Sequence, residues 1–499
     1  MPMRDSELKT KQTDQGGARR LVMVSNRLPL SLEHVEGEGW RTNPAAGGLV
    51  AALDPVMRRR GGVWVGWPGV ADESTETLRD VLDSQHNGDV DYRLEPVSLT
   101  SHEISGFYEG FSNEVIWPLF HNRFTSCNFD PHYWQSYQDV NHRFALRVAE
   151  VAQAGDFIWV HDYHLVNVAD QLRELGITNR SSFFQHIPFP TADIFCNLPW
   201  WREIVYALLS YDFIGLQTVT DRINFLDVLT TLFDEVKTTA GDNGVDIEIG
   251  DQGLARHQQQ LRIGTLPISI DYDHISEVAG SKETGEYMAE FRASWRDQTT
   301  VVLGVDRLDY TKGLPEKFEA FRELLRRHPE LRGRIVLQQH VIPSRQRVPQ
   351  YAEQKQEIER LVGEINGEFT EPGWVPIHYM FGRMSPPELM AHYQVADIAL
   401  ITPLKDGMNL VAKEFCAAQI EQRSVLILSE FAGTAAEFGE NALLINPHDV
   451  VTTAESIYEA YSMPEEERRR RMQAMRQIVK NHTAFDWVDQ FLEAAGADS

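Results

Sequence analysis

The segment VVLGVDRLDYTKG, residues 301–313, decides the fold. Its apolar first part, residues 301–305, predicts a strand, and a helix is expected after the loop. The loop carries two fixed cations, Arg307 and Lys312. Open α/β sheets bind ligands at the carboxyl ends of parallel strands, and paired cations at that edge suit a diphosphate. The segment therefore predicts an α/β chain with an anion site.

A second segment, DGMNLVAKE at residues 406–414, repeats this arrangement later in the chain. Residues 398–401 form the predicted strand, Gly407 supplies a tight turn, and a helix is predicted to begin near Asn409. Helix amino termini favour anions because their first backbone N–H groups are unpaired. Glu414 lies one turn into the helix, where a carboxylate can accept hydrogen bonds from a ribose diol. Together the two segments predict a nucleotide-sugar site.

The length and charge of the chain limit the classes of protein it can belong to. At 499 residues it exceeds what one hydrophobic core usually supports, so at least two domains are expected. Lys and Arg total 47 against 73 Asp and Glu, a formal net charge of −26. Such a surface repels nucleic acid and anionic lipid, and we expect neither as a partner. Any anion site must therefore be locally basic.

The sequence indicates a soluble, cytoplasmic protein. Residues 1–20 are polar and lack the apolar core of a secretory signal, so we interpret them as a disordered tail. No later run approaches the ~20 apolar residues of a membrane helix. Three cysteines, Cys127, Cys196 and Cys416, lack metal-ligand spacing and fit buried thiols in a reducing compartment.

Apolar strand candidates alternate with helical stretches along the chain. This alternation predicts two parallel sheets with right-handed crossovers. The candidates are residues 21–24, 63–65, 157–160, 182–184, 213–216, 261–266, 301–305, 335–337, 375–379, 398–401, 425–428 and 442–445. We expect an N-terminal domain at 21–266, with a hairpin or surface excursion at 241–260, and a C-terminal domain at 267–483. The helical pattern at 484–499 predicts a last helix that packs back on the first domain.

Two short motifs near the amino terminus add candidate anion ligands. Residues 25–29, SNRLP, follow the first strand, and Arg27 has the fork geometry that holds a phosphate. The pair Gly47 and Gly48 opens a helix and would let the backbone approach an anion closely. Taken alone, these motifs favour a turn with a surface arginine. No Gly-x-Gly-x-x-Gly follows a strand and no P-loop motif occurs, so dinucleotide binding and P-loop kinase chemistry have no support.

The segment HDYH, residues 161–164, comes directly after the strand at 157–160. Its two histidines could bind a metal ion with His186 as a third ligand. They could also recognise sugar hydroxyls at the strand end, or be structural. Sugar recognition is the favoured interpretation of these three.

Two Asp-x-Asp pairs invite comparison with metal-dependent glycosyltransferases of a different fold. They are Asp89 with Asp91 and Asp271 with Asp273. No apolar strand precedes the first pair. The second follows an apolar run but lies at the expected domain boundary, where a turn is the favoured interpretation.

Aromatic and polar side chains are interspersed over residues 108–121, a pattern that core packing alone would explain. Arg345, in the segment Pro343-Ser344-Arg345, follows a strand predicted to end near Leu337. It adds another cation at the carboxyl end of a strand.

Six motifs together resemble the trehalose-6-phosphate synthases, glycosyltransferase family 20. They are SNRLP (25–29), WPLFH (117–121), VHDYHL (160–165), HIPFP (186–190), DRLDYTKG (306–313) and DGMNLVAKE (406–414), in family order. The match runs from 21 to 492. It implies a GT-B fold, in which two Rossmann-like domains face a central cleft and the C-terminal helix crosses back.

The resemblance also implies an activity. Family members move glucose from a nucleotide diphosphate glucose, UDP- or ADP-glucose, to C1 of glucose 6-phosphate, giving α,α-trehalose 6-phosphate in trehalose biosynthesis and osmoprotection. The donor is α-linked and the product α,α, so configuration is retained. We expect front-face attack without a covalent intermediate, because the family offers no convincing carboxylate nucleophile. The resemblance implies a homotetramer, and it implies no metal or other cofactor.

On the donor side, the resemblance places Arg307, Lys312, Gly47 and Gly48 at the diphosphate and Glu414 at the ribose. The remaining donor-binding positions are Asp406, Gly407, Met408, Asn409, Leu410, Val411, Ala412 and Lys413. Asp406 and His186 would contact hydroxyls of the donor glucose.

On the acceptor side, Arg27, Tyr108, Trp117 and Arg345 would bind the phosphate of glucose 6-phosphate. Asp162 would orient acceptor hydroxyls. The expected catalytic set is Arg307, Lys312, Asp406, His186 and Asp162. Fixed cations fit this chemistry because negative charge builds on the leaving oxygen in the transition state.

Two other functions stay open at this point. Another retaining GT-B transferase could make glycogen or sucrose phosphate, although the basic acceptor set favours a phosphorylated acceptor over a glucan. A catalytically silent sugar-phosphate sensor would bind these ligands without turnover. A fused trehalose-phosphate phosphatase is not expected, because the aspartate motif is missing.

Overall fold

The computed structural model describes residues 19–35, 37, 39–44, 48–85, 92–241, 244–249, 260–295, 299–345 and 348–497. Gly47 and the pair Asp89 and Asp91 lie outside these residues. Most of the tail expected to be disordered also lies outside them. Part of the predicted excursion at 241–260 also lies outside them.

Strands recur through the described chain, and those at the centre of each sheet are rich in Val, Ile and Leu. Their bounds are β1 Leu21–Arg27, β2 Leu30–Val35, β3 Gly39–Pro44, β4 Gly62–Trp67, β5 Tyr92–Pro96, β6 Phe157–His161, β7 Ser181–Phe184, β8 Phe213–Leu216, β9 Val236–Gly241, β10 Gly244–Ile249, β11 Gln260–Thr265, β12 Thr300–Arg307, β13 Ile335–Ile342, β14 Ile377–Phe381, β15 Ile398–Ile401, β16 Val425–Ser429 and β17 Leu443–Ile445.

Helices connect most of the parallel strands. Their bounds are α1 Gly48–Arg60, α2 Thr75–Gln85, α3 Ser101–Glu103, α4 Trp117–Phe120, α5 Pro131–Val151, α6 Val168–Glu174, α7 Ala192–Phe195, α8 Trp201–Leu208, α9 Val219–Leu232, α10 Tyr272–Ala279, α11 Lys282–Ser294, α12 Leu314–Arg327, α13 Pro349–Phe369, α14 Pro386–Val395, α15 Leu410–Ala418, α16 Thr434–Phe438, α17 Val450–Ser462, α18 Glu465–Asn481 and α19 Ala484–Ala494. A π-helix spans Ile104–Ile116, and a 3₁₀ turn covers Tyr310–Lys312.

The first sheet has nine strands in the order β5-β4-β1-β6-β7-β8-β11-β10-β9. The strands from β5 to β11 are parallel, and β10 and β9 continue the sheet as an antiparallel hairpin. Its central strands are buried on both faces, which explains their nearly continuous apolar sequences. Trp64 and Trp159 are among the largest fully buried side chains of this part.

The second sheet has six parallel strands in the order β14-β13-β12-β15-β16-β17. Strand β12 pairs with β13 on one side and β15 on the other, so the chain order reverses there. Strand β1 occupies the same position in the first sheet, between β4 and β6. The prediction of two parallel sheets is confirmed.

The last helix, α19, packs on the first sheet after the chain has left the second. Its Trp487, Val488 and Phe491 are buried, and the Phe491 ring stacks 4.1 Å from Trp159. The Trp487 indole donates to the Leu266 carbonyl oxygen at 3.0 Å. The domain boundaries themselves stay predictions.

The structure corrects the predicted end of one strand and adds strands that the sequence did not predict. Strand β13 does not end near Leu337 but continues to Ile342. The continuation contains Gln338, Gln339 and His340, whose polar side chains are buried there. Strands β2, β3 and β5 were not predicted, because their mixed apolar and polar sequences resemble loop segments.

Candidate active site

The loops that follow the two central strands face each other across one cleft. Parallel sheets bind ligands where the strand order reverses, and β1 and β12 mark those two places. The two sides come very close at Gly407, which follows β15. A Cβ at this position would collide with the carbonyl oxygen of His186, which follows β7. Only glycine therefore fits this contact.

A half-buried ion pair joins two loops of the second sheet. Lys312 Nζ lies 2.5 Å from Asp406 Oδ2, and Asn409 donates to the same oxygen at 3.1 Å. Burial raises the pKa of Asp406, but Lys312 and Asn409 lower it by more, so its net pKa lies below the usual range. Asp406 is therefore ionised and holds the Lys312 ammonium at the cleft.

The turn after β12 sets the position of this ammonium. Asp309 accepts from the Thr311 backbone N–H at 3.0 Å, which caps the 3₁₀ turn. Gly313 then adopts φ +62°, and a Cβ there would collide with the Thr402 carbonyl oxygen. Arg307 ends β12 as an exposed side chain, with its guanidinium 5.9 Å from the centre of the Trp117 ring.

Two helix amino termini converge beside this ion pair. Asn409 adopts φ +79° and caps α15 by accepting from the Ala412 N–H at 3.1 Å. The N–H groups of the first two helical residues, Leu410 and Val411, have no acceptor one turn earlier in the helix. Gly48 begins α1 so close that a Cβ there would lie 2.8 Å from Leu410 Cδ1. Both helix dipoles favour an anion here.

Glu414 is the second acidic group of this region. The Tyr393 hydroxyl donates to its Oε2 at 3.2 Å, and burial raises the pKa of Glu414 to about 7. Its neighbour Lys413 points into the interior, where its ammonium donates to the Ile268 carbonyl oxygen at 2.8 Å and pairs with Glu437. Any contact of Lys413 with a donor must therefore come from its backbone.

The other residues of the second segment present mainly their backbone. The side chains of Met408 and Ala412 are buried in the core. Thr434 Oγ1 donates to the Met408 carbonyl oxygen at 2.5 Å and fixes the turn before α15. The sequence of this segment thus specifies a backbone shape more than a set of side-chain ligands.

Across the cleft, Asp162 and His186 lie together. Asp162 has φ +73°, and its Oδ1 accepts from the His186 backbone N–H at 3.2 Å. Burial raises the pKa of Asp162 to about 7 despite that bond and the charge of Arg345. The His186 ring bonds to His161, with 3.1 Å between His186 Nε2 and His161 Nδ1. Burial lowers the pKa of His186 to about 3, so its ring is neutral.

Arg345 bridges the two sides. Its guanidinium lies over the Trp117 ring at 3.8 Å from the ring centre. It donates to the hydroxyls of Tyr351, at 2.6 Å, and Tyr163, at 3.1 Å, and lies 3.7 Å from Asp309. Trp117 Nε1 is buried and has no hydrogen-bond partner among the described residues. A buried donor without a partner beside a fixed cation favours an anionic or hydroxylated ligand.

Arg27 and Tyr108 lie on the same side of the cleft, and both contact Trp67. The Arg27 guanidinium lies 4.2 Å from the centre of the Trp67 ring, and the Tyr108 ring lies 6.0 Å from it. Tyr108 also stacks on His164 at 6.0 Å. Gly69 makes room, because a Cβ there would collide with the Arg27 guanidinium.

The structure thus brings together the described members of the predicted donor and acceptor sets. Sequence reasoning missed Trp67, Tyr163 and Tyr351, which hold the two arginines in place. Trp67 had a usable signal, since it follows the strand predicted at 63–65 and therefore reaches the same sheet edge as Arg27. Tyr351 had none, because it lies in the helix α13 and joins the site through contacts of its hydroxyl with Arg345 and Asp309.

The described ranges hold no group of three or more His, Cys, Asp or Glu side chains arranged to bind a metal ion. Asp271 is the N-cap of α10, so the second Asp-x-Asp pair opens a helix. None of the helices in the described part of the chain is both long and apolar enough to cross a bilayer.

Comparison with known proteins agrees with this geometry. Residues 19–496 match the family model described as glycosyltransferase family 20. The chain is 40% identical over 499 residues to the trehalose-6-phosphate synthase of Mycobacterium bovis, covering 99% of this chain and 98% of that protein. It is 41% identical over 488 residues to the bifunctional trehalose-6-phosphate synthase/phosphatase of Thermoproteus tenax, of which it spans 63%.

A solved structure has the same fold. The α,α-trehalose-phosphate synthase (UDP-forming) from Burkholderia xenovorans, in complex with glucose-6-phosphate, superposes with a TM-score of 0.85 at 33% identity, covering 96% of this chain and 100% of that one. The fold and the cleft define a GT-B glycosyltransferase. The chain belongs to glycosyltransferase family 20. The family resemblance of the six motifs and the predicted fold class are both confirmed.

Proposed function

We propose that the protein transfers glucose from UDP-glucose to C1 of glucose 6-phosphate, giving α,α-trehalose 6-phosphate. The observation that carries the proposal is the pair of basic subsites on opposite sides of one cleft. One is built from Lys312, Arg307 and two helix amino termini, and the other from Arg345 and Arg27 on aromatic rings. A transferase that joins two phosphorylated sugars requires two such subsites.

The donor diphosphate fits the first subsite. Lys312 and Arg307 supply fixed positive charge, and the free N–H groups at the start of α15 can donate to phosphate oxygens. Glu414 lies one turn along the same helix, at a distance suited to the ribose hydroxyls that follow the diphosphate. UDP-glucose is favoured because the superposed relative is UDP-forming, and ADP-glucose is the alternative donor.

The acceptor phosphate fits the second subsite. The Arg345 guanidinium lies over the Trp117 ring, and Trp117 Nε1 offers a further donor that has no partner in the described part of the chain. The relative from Burkholderia xenovorans was solved with glucose-6-phosphate, the acceptor proposed for this chain. Asp162 then lies near the sugar ring, where its carboxylate can orient hydroxyls.

The proposed chemistry is front-face transfer with retention. The acceptor hydroxyl attacks the anomeric carbon on the side from which the diphosphate leaves, and a leaving phosphate oxygen takes the acceptor's proton. Lys312 and Arg307 stabilise the negative charge that grows on the leaving oxygen. Asp406 is a poor covalent nucleophile, because its carboxylate is already bonded to Lys312 and Asn409. It is better suited to holding a donor hydroxyl.

Several finer features are proposals of the same kind. We propose a homotetramer in the cytoplasm that supports osmoprotection, and domains divided near 266/267 with the last helix joined to the first domain. Light scattering of the purified chain tests the tetramer, and limited proteolysis tests the division into domains.

The decisive experiment measures nucleotide release with glucose 6-phosphate as the acceptor. UDP-, ADP- and GDP-glucose are compared with and without EDTA, and the product is analysed by NMR for its anomeric configuration. Release that depends on glucose 6-phosphate, resists EDTA and yields the α,α product supports the proposal. Binding of glucose 6-phosphate without turnover of any donor would instead indicate a sensor.

A further inference from the structure

His161 lies directly behind His186 and has no surface of its own. Its side chain is fully buried at the end of β6, with its ring centre 4.5 Å from that of Trp159. Its Nδ1 lies 3.1 Å from His186 Nε2, and the two rings stack with centres 5.3 Å apart. His161 therefore reaches a substrate only through His186.

The hydrogen bond between the two rings needs one proton, and either ring could supply it. Either His161 Nδ1–H donates to His186 Nε2, or His186 Nε2–H donates to His161 Nδ1. A neutral imidazole carries its proton on one nitrogen only, so each choice fixes the tautomer of both rings. Burial lowers the pKa values of both histidines, which keeps both rings neutral.

The surroundings of His161 Nε2 decide between the two choices. This atom is buried and has no hydrogen-bond partner within the described chain. Trp159 Nε1, on the same face of the strand, is a donor that is also buried without a partner among the described residues. A proton on His161 Nε2 would add a second unpaired buried N–H beside the first. An unpaired lone pair is the less costly arrangement, since orphaned buried N–H groups are rare.

We propose that His161 is a positioning residue that donates its Nδ1–H to His186 Nε2 and so fixes His186 as an Nδ1–H donor toward the sugar in the cleft. This proposal rests on the proposed function, because the sugar is the glucose of the donor. No protein acceptor for His186 Nδ1 lies in the described ranges, and the His186 side chain is partly exposed. The His186 backbone N–H donates to Asp162, and this bond holds the backbone of His186 in place.

The test uses deoxy and deoxyfluoro forms of UDP-glucose at each sugar position. Fluorine can accept a hydrogen bond weakly but cannot donate one. If His186 Nδ1–H donates, the wild type loses about tenfold in kcat/KM with one deoxy donor, the size of one uncharged hydrogen bond, and less with its fluoro counterpart. Equal losses with both analogues would show that His186 accepts, and would overturn the proposal.

Two substitutions of His161 complete the test. His161→Phe removes the donor, so it should lower kcat/KM for UDP-glucose about tenfold and show little further loss with the sensitive deoxy donor. His161→Asn keeps an N–H near the Nδ1 position and should restore most of the activity. A loss in His161→Phe that is the same for every donor, with no rescue by asparagine, would indicate packing alone and overturn the proposal.

An independent readout does not depend on catalysis. Long-range ¹H–¹⁵N spectra of the ¹⁵N-histidine-labelled wild type distinguish Nδ1–H from Nε2–H, and the variants assign the His161 signals. We expect Nδ1–H at both His161 and His186, and Nε2–H at His161 would contradict the proposal. If the wild type releases no nucleotide, the proposed function fails, while this spectrum still decides the tautomer.

Discussion

Lys312 Nζ and Asp406 Oδ2 lie 2.5 Å apart, although their loops follow different strands, β12 and β15. The pair places a cation at the point where two helix amino termini converge. It also keeps the ammonium in one position before any ligand arrives, because Asp406 is itself fixed by Asn409. A leaving diphosphate would therefore meet a charge that needs no reorganisation.

Lys312→Ala should lower kcat by roughly 10²–10³, as the loss of a transition-state donor typically does, with a smaller change in donor KM. Steady-state kinetics with saturating glucose 6-phosphate measure this. Lys405→Ala is the matched control, since this lysine precedes Asp406 in the same loop but donates to the Asn122 amide oxygen, at 3.3 Å, and should change kcat by no more than a few fold. An unchanged kcat with only a weaker donor KM would remove Lys312 from the leaving-group role.

Arg345→Ala should raise the KM for glucose 6-phosphate most, by about 10- to 150-fold, because a charge-assisted hydrogen bond contributes about 1.5–3 kcal/mol. Initial rates over a range of acceptor concentration measure this. Arg332→Ala is a matched control, because Arg332 also stacks on an aromatic ring, Phe369 at 5.0 Å, but away from the cleft. A normal acceptor KM in Arg345→Ala would place the phosphate elsewhere.

Donor binding should weaken as the pH falls through about 7. The pKa of Glu414 is raised to about 7 by burial, so its carboxyl group gains a proton in that range. Ribose hydroxyls donate stronger hydrogen bonds to the ionised Glu414 carboxylate than to its protonated form. The donor KM should therefore rise toward pH 6. Glu414→Gln cannot titrate, so its donor KM should be higher at pH 8 and nearly constant with pH. A pH dependence that survives in this variant would assign it to another group, such as Asp162.

Gly407→Ala should reduce kcat/KM by at least tenfold, because a Cβ at this position collides with the His186 carbonyl oxygen and forces the two sides of the cleft apart. Gly363→Ala, in the helix α13, is the control. A Cβ at Gly363 meets no atom within 4 Å, and alanine favours a helix by about 1 kcal/mol. Activity close to wild type in Gly407→Ala would mean that the cleft does not need this close contact.

The sequence was sufficient to predict the central strands, because strands buried on both faces are nearly continuous apolar runs. The same runs also placed Arg307, Lys312 and Glu414 after strands of the second sheet, while their roles as ligands stay predictions. The His161–His186 bond depends on two segments, at the ends of β6 and β7, that are brought together only by strand order. Local sequence patterns carry no information about such contacts. Likewise β13 looked shorter than it is, because buried glutamines and a histidine interrupt its apolar pattern.

The position of α19 has a consequence for how the cleft can move. The chain passes between the two sheets twice, once after Leu266 and once before Ala484. The two passes are joined to each other, since the Ala484 N–H donates to the Ile270 carbonyl oxygen at 2.9 Å and His482 Nε2 bonds to that of Pro267 at 2.9 Å. Two connections that are bonded to each other would restrict the rotation of one half against the other, and would leave opening and closing of the cleft as the less restricted motion.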